Sequence, residues 1–103
     1  MNIPAMTSVT NAIRIYYEYP ELGNKEITEL FGKHSSATVA KLKNAVKEEM
    51  IKQEVLSHGM NKINTEIAYQ VWQIDVDDLE RRVKKLRSLK MGEFAEQVEQ
   101  QAG

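Results

Sequence analysis

The 103-residue chain contains no cysteine. This absence excludes a disulfide framework, a thiolate nucleophile and a metal site with cysteine ligands. It also fits a reducing compartment, so we expect a cytoplasmic protein. No run of apolar residues is longer than four, and we therefore expect neither a transmembrane helix nor a signal peptide.

Proline and glycine are also scarce, with two and five residues respectively. Between them the apolar residues recur with helical period. The predicted helices cover residues 7–19, 24–31, 35 or 36 into the fifties, 64 or 65 to about 72, and 75 or 77 to about 92. Asn24 is the expected cap of the second helix. The sequence thus predicts an all-α fold, a compact bundle of about five helices in one domain over 1–92, with an acidic flexible tail over 93–103.

The segment between the third and fourth helices has two interpretations. Residues 57–64 are typical of a loop. Alternatively, Val55 and Leu56 form a small β-hairpin with Ile63, which would make a wing near 55–64. The sequence leaves both interpretations open.

Two segments share one pattern, in which a short helix, a turn and a longer helix follow one another. They cover 24–50 and 64–90, and at an offset of 40 residues Asn24 aligns with Asn64 and Ile27 with Ile67. Either a duplication or the chance similarity of two capped amphipathic helix pairs accounts for the match. The functional interpretation does not depend on which of them is correct.

The first of these units resembles the helix-turn-helix of DNA-binding proteins, most closely the small regulators, excision factors and packaging subunits of phages and mobile elements. Gly32 stands at the turn, where positive φ is needed, and Ser-Ser-Ala-Thr-Val over 35–39 is similar to the start of a recognition helix. Two features depart from the family pattern. The spacing from Gly32 to Val39 is one residue longer than usual, and Lys33-His34 replaces an apolar residue.

The resemblance is weaker over 64–87, where Trp72 or Gln73 stands in place of the glycine. The first unit is therefore the better candidate for reading DNA. The second helix of such a unit lies in the major groove, so the resemblance implies contacts from the segment that follows Gly32.

The net charge of −1, from 14 basic and 15 acidic residues, at first argues against a nucleic-acid partner. The distribution of charge indicates the opposite. Ten of the 14 basic residues lie in two segments without acids, 33–47 and 81–92. The helix dipole explains part of the second segment, but not cations at the start of a helix over 33–41. Such segregation predicts a basic face on a nearly neutral protein.

Helical geometry selects the residues that would contact double-stranded DNA. If Val39, Leu42 and Val46 face inward, 100° steps place Lys41 and Asn44 on the opposite face. Lysine can read guanine and asparagine can read adenine, while hydroxyl and basic groups bind phosphates. The predicted DNA-binding residues are Lys33, His34, Ser35, Ser36, Ala37, Thr38, Lys41, Asn44, Lys47, Arg81, Arg82 and Lys85.

The alternative is a helical interaction or assembly module that binds no nucleic acid. An apolar stripe with 3-4-3 spacing suits a helical partner, including a second copy of the chain. The stripe consists of Val76, Leu79, Val83 and Leu86. No constellation of residues has the spacing of a catalytic, metal or cofactor site, so we expect no enzyme activity, no cofactor and no metal.

Overall fold

The computed structural model describes the backbone of residues 2–102 and the side chains of residues 2–89. This part of the chain forms five helices and two short strands. Their bounds are α1 Val9–Glu18, β1 Glu21–Leu22, α2 Asn24–Phe31, α3 Ser36–Lys52, β2 Ile63–Asn64, α4 Thr65–Val71 and α5 Val76–Ala102. The prediction of an all-α bundle of about five helices is confirmed. Within the described residues, no helix has the length and apolar character that crossing a bilayer requires.

Short polar side chains mark the starts of most helices. The side-chain oxygens of Ser8, Ser35, Asn64 and Asp75 each accept the backbone N–H three residues later. Helix α2 differs, because Gly23 occupies the cap position and donates its N–H to the Glu26 carboxylate at 2.8 Å. The prediction that Asn24 caps this helix is wrong. A carboxylate reaching back from the first turn satisfies the free N–H instead.

The two strands pair with each other in antiparallel fashion, with Leu22 opposite Ile63. Both side chains are fully buried, so the pairing places them in the core. Of the two interpretations of this segment, the hairpin over 55–64 is wrong, because Ile63 pairs with Leu22 and no strand forms at Val55 and Leu56. Leu56 is 85% exposed and offers no buried face for a strand. The connection from α3 to β2, residues 53–62, is a loop.

Helix α5 continues past Gly92, where the sequence predicted its end. A single glycine inside a helix costs only about 1 kcal/mol, and no proline follows to stop the helix. The predicted flexibility of the acidic tail, residues 93–103, falls outside the residues whose side chains are described.

Trp72 joins three helices at the centre of the core. Its ring packs edge-on against Phe31 with 5.2 Å between centroids, and its indole N–H donates to the backbone oxygen of Leu42 at 3.3 Å. Tyr69 donates its hydroxyl to the backbone oxygen of Ala12 at 2.6 Å, and burial raises the pKa of this phenol. Helix α3 packs mainly against α4, and α5 mainly against α1.

Candidate nucleic-acid interface

The turn between α2 and α3 is built on Gly32. This residue has φ of +82° and ψ of −178°, a combination that is essentially restricted to glycine. Its N–H donates to the backbone oxygen of Thr28, which ends α2, and α3 begins four residues later at Ser36. The expectation of positive φ at this turn is confirmed.

The residues of the turn are exposed, and several of their polar groups have partners. The Nε2 atom of His34 lies 3.0 Å from the backbone oxygen of Phe31. The Ser35 hydroxyl caps α3, accepting the N–H of Thr38 at 3.2 Å and contacting the Thr38 hydroxyl at 3.0 Å. Ser35 therefore fixes the start of the helix, while Lys33 and Ser36 extend into solvent.

Helix α3 buries one face and exposes the other, as the sequence predicted. Leu42 and Val46 are buried, with Val39 half-buried beside them. The exposed residues of its first three turns are small, polar or basic, and no acid occurs among them before Glu48. They are Ser36, Ala37, Ala40, Lys41, Asn44 and Lys47. Of the predicted set, Thr38 is half-buried at the edge of this surface.

Lys43 is the one cation of α3 that leaves the surface. Its residue is 7% exposed, and its ammonium group donates to the Asn24 side-chain oxygen at 3.2 Å and to the backbone oxygen of Asn61. Burial lowers the pKa of this ammonium group, and the charge of Lys47 lowers it further. Sequence reasoning counted Lys43 in the basic segment and missed its role. Its position next to Leu42 and three residues before Val46 was the available signal.

Loop 53–62 is attached to the body at a second point. The Glu21 carboxylate accepts the backbone N–H groups of His58 at 2.7 Å and Gly59 at 2.9 Å. Burial raises the pKa of Glu21, but these two N–H groups and the charges of His58 and Lys62 together hold it below its usual value. Together with Lys43, Glu21 fixes the loop beside α2 and β1. Sequence reasoning did not find this anchor.

The first basic residues of α5, unlike those on the exposed face of α3, lie beside an acid. Arg81 and Arg82 are exposed, but both pair with Asp78, at 3.6 Å and 2.9 Å. Lys85 is exposed. Because α5 packs on α1 whereas α3 packs on α4, the main packing contacts do not bring the two basic segments together. The predicted residues thus fall into two groups, one around the turn and α3 and one on α5.

In comparisons with known proteins, no family model, curated protein or solved structure matches the chain. Among the described side chains, no group of three metal-binding residues lies close enough together to hold an ion. The surface formed by the turn and the first three turns of α3 is therefore the candidate site that the chemistry of the chain itself favours.

Proposed function

We propose that the protein binds double-stranded DNA in a sequence-specific way through α2, the Gly32 turn and α3. The observation that supports this most directly is the exposed face of α3, which lacks acids over its first three turns and follows a glycine turn. In helix-turn-helix proteins the second helix enters the major groove with its N-terminal part. A role as a small regulator, excision factor or packaging factor of a phage or mobile element fits this mode of binding.

The exposed residues of α3 have the chemistry that such an interface needs. Ala37 and Ala40 let the helix backbone approach the floor of the groove. Lys41 and Asn44 present groups that pair with guanine and adenine edges. Lys33 and Lys47 lie at the two ends of this surface and bind phosphates, which contribute most of the affinity and make it sensitive to salt.

The first experiment compares two charge reversals on one helix. Lys41→Glu places a negative charge against the groove, and we expect the affinity for duplex DNA to fall at least about tenfold. Lys52→Glu is the matched control, because it makes the same change on exposed α3 surface about 16 Å further along. Fluorescence anisotropy with duplexes selected from a random library measures both affinities across a salt series.

Two outcomes would contradict the proposal. One is that pooled genomic fragments show no salt-sensitive binding at all. The other is an equal loss of affinity in both variants, which would indicate a diffuse electrostatic attraction rather than a defined interface. Circular dichroism of each variant establishes that the fold is intact.

A second function, assembly without nucleic acid, is favoured by a separate observation. Leu86 and Leu89 on α5 are 51% and 58% exposed. The apolar stripe predicted for a partner is only partly available, since Val76 and Leu79 are buried in the core of the same chain. Any partner must therefore contact the part of α5 that follows these two residues.

A further inference from the structure

A cavity of about 420 Å³ lies between α2 and α3. Basic and polar residues predominate in its lining, and none of the lining residues is acidic. Helix α3 contributes Lys43 and Lys47 at one end of this cavity, and Asn24 contributes from the start of α2. The α2–α3 cavity is thus a positively charged recess in a protein whose net charge is −1.

The two lysines of this cavity stand close together without a counter-charge. Lys43 and Lys47 are four residues apart, so they lie on successive turns along the same edge of α3. The charge of Lys47 lowers the pKa of Lys43, in addition to the effect of burial. Among the described residues, no carboxylate forms an ion pair with either lysine. The two cations repel each other, and an anion bound between them would offset this repulsion.

Donor groups for such an anion are present at this end of the cavity. The Lys43 ammonium group has three N–H donors, and Asn24 and Asn61 accept two of them, which leaves one. Asn44 and Lys47 line the cavity from exposed positions and add further donors. Two cations with several donors match an anion that carries up to two negative charges and at least three oxygens, which is the chemistry of a phosphate group. A carboxylate has a single charge and two oxygens, and would leave donors unused.

We propose that the α2–α3 cavity binds a phosphate group between the ammonium groups of Lys43 and Lys47. The group belongs either to the backbone of a nucleic acid or to a small phosphate ester, since both present the same oxygens. The proposed DNA interface uses only the exposed side chain of Lys47, whereas this site adds the buried ammonium group of Lys43. The inference stands without DNA binding, because a free phosphate ion already has the chemistry that the site selects.

The experiment titrates the full chain with inorganic phosphate at about pH 8, where the ion is mainly a dianion, and follows the amide NMR signals. Sodium chloride keeps the ionic strength constant. We expect saturable shifts at Lys43, Asn44 and Lys47. Lys47→Gln removes one of the two cations and should weaken phosphate binding at least about tenfold. Lys52→Gln is the matched control, because it removes an exposed lysine of the same helix outside the cavity, and should change the affinity by less than about twofold.

A second arm adds duplex DNA and identifies the source of the phosphate. If the site takes a backbone phosphate, inorganic phosphate displaces the duplex more than chloride of equal ionic strength does, and Lys47→Gln lowers the salt dependence by about one phosphate contact. Phosphate binding without displacement, or without any binding of the duplex, indicates a small phosphate ester instead.

Two results of the phosphate titration would overturn the site. One is the absence of a saturable shift up to about 50 mM phosphate. The other is an equal loss of affinity in Lys47→Gln and Lys52→Gln, which would indicate a diffuse attraction. Both are measured without DNA, so the phosphate site and the proposed DNA interface fail separately.

Discussion

The two units of short helix, turn and longer helix are alike up to the turn and differ after it. Ile63 follows Leu22 at an offset of 41 positions, and Trp72 follows Phe31 at the same offset. Each of these pairs is in direct contact, the first across the sheet and the second edge to face. At the same offset, Gly32 and Gln73 both have positive φ. The correspondence in the structure thus has an offset of 41, one more than the offset of 40 at which the two segments align in sequence, and the units contact each other through residues that correspond at this offset.

After the turn, the two long helices differ in charge. The exposed face of α3 contains no acid over its first three turns, while Leu42 and Val46 on the other face are buried. In α5 the corresponding turns bury Val76 and Leu79, and they carry Asp77 and Asp78, which would repel phosphate. The geometry of the turn therefore does not by itself set the charge of the helix that follows it. The residues that follow the turn decide which charge the exposed face of the helix carries.

The contact between Phe31 and Trp72 joins the two units, and mutation there should lower the stability of the protein most. Trp72→Ala removes the ring that packs on Phe31 and the hydrogen bond to Leu42, and should lower the free energy of unfolding by about 3–5 kcal/mol. Urea denaturation measures this loss. Trp72→Phe keeps most of the apolar contact and should cost clearly less. A loss below about 1 kcal/mol for the alanine variant would show that the two units do not depend on this contact.

Substitutions in the two turns, at Gly32 and Gln73, should change the stability of the protein in opposite directions. Gly32→Ala places a Cβ in a conformation essentially restricted to glycine, 3.3 Å from the Thr7 Cγ2 atom, and should destabilise by about 1–3 kcal/mol. Gln73→Gly relieves the left-handed strain of a residue with φ of 58°, and should stabilise by up to about 1 kcal/mol. Thermal unfolding of both variants tests the pair. Shifts of the same sign would contradict the proposed equivalence of the turns.

The smallest effect concerns loop 53–62, which follows the first unit only. Because the folded protein lowers the pKa of Glu21, its carboxylate contributes stability above its ordinary value of 4.5, and this contribution disappears as pH falls through the folded pKa. Glu21→Gln should cost about 1 kcal/mol at neutral pH. The difference between variant and unmodified protein should shrink in acid. A difference that does not change with pH would show that the anchor does not depend on the charge.

Periodicity and capping residues predicted much of this fold from the sequence. Both signals are local, so the helices and the exposed face of α3 with Lys41 and Asn44 could be found without a structure. The pairing of β1 with β2 could not, since strands of two residues have no detectable alternation and lie far apart in the chain. The burial of Lys43 depends on Asn24 and Asn61, which only the fold brings to it.

The candidate site was predictable to the same extent. The face of α3 follows from helical geometry, and the pairing of Arg81 and Arg82 with Asp78 could have been found from their spacing of three and four residues. How α3 and α5 lie relative to each other could not, because packing of α1 against α5 depends on contacts between distant parts of the chain.

The buried ammonium group of Lys43 has a mechanical consequence. By holding Asn24 and Asn61 at once, it joins the two ends of a 38-residue stretch without a covalent bond, in a protein that has no cysteine to do so. Helices α2 and α3 and loop 53–62 are thereby closed into a ring that should move as one body. If the proposed interface is correct, α3 meets the duplex as a preformed surface, and any change of shape on binding falls to the DNA.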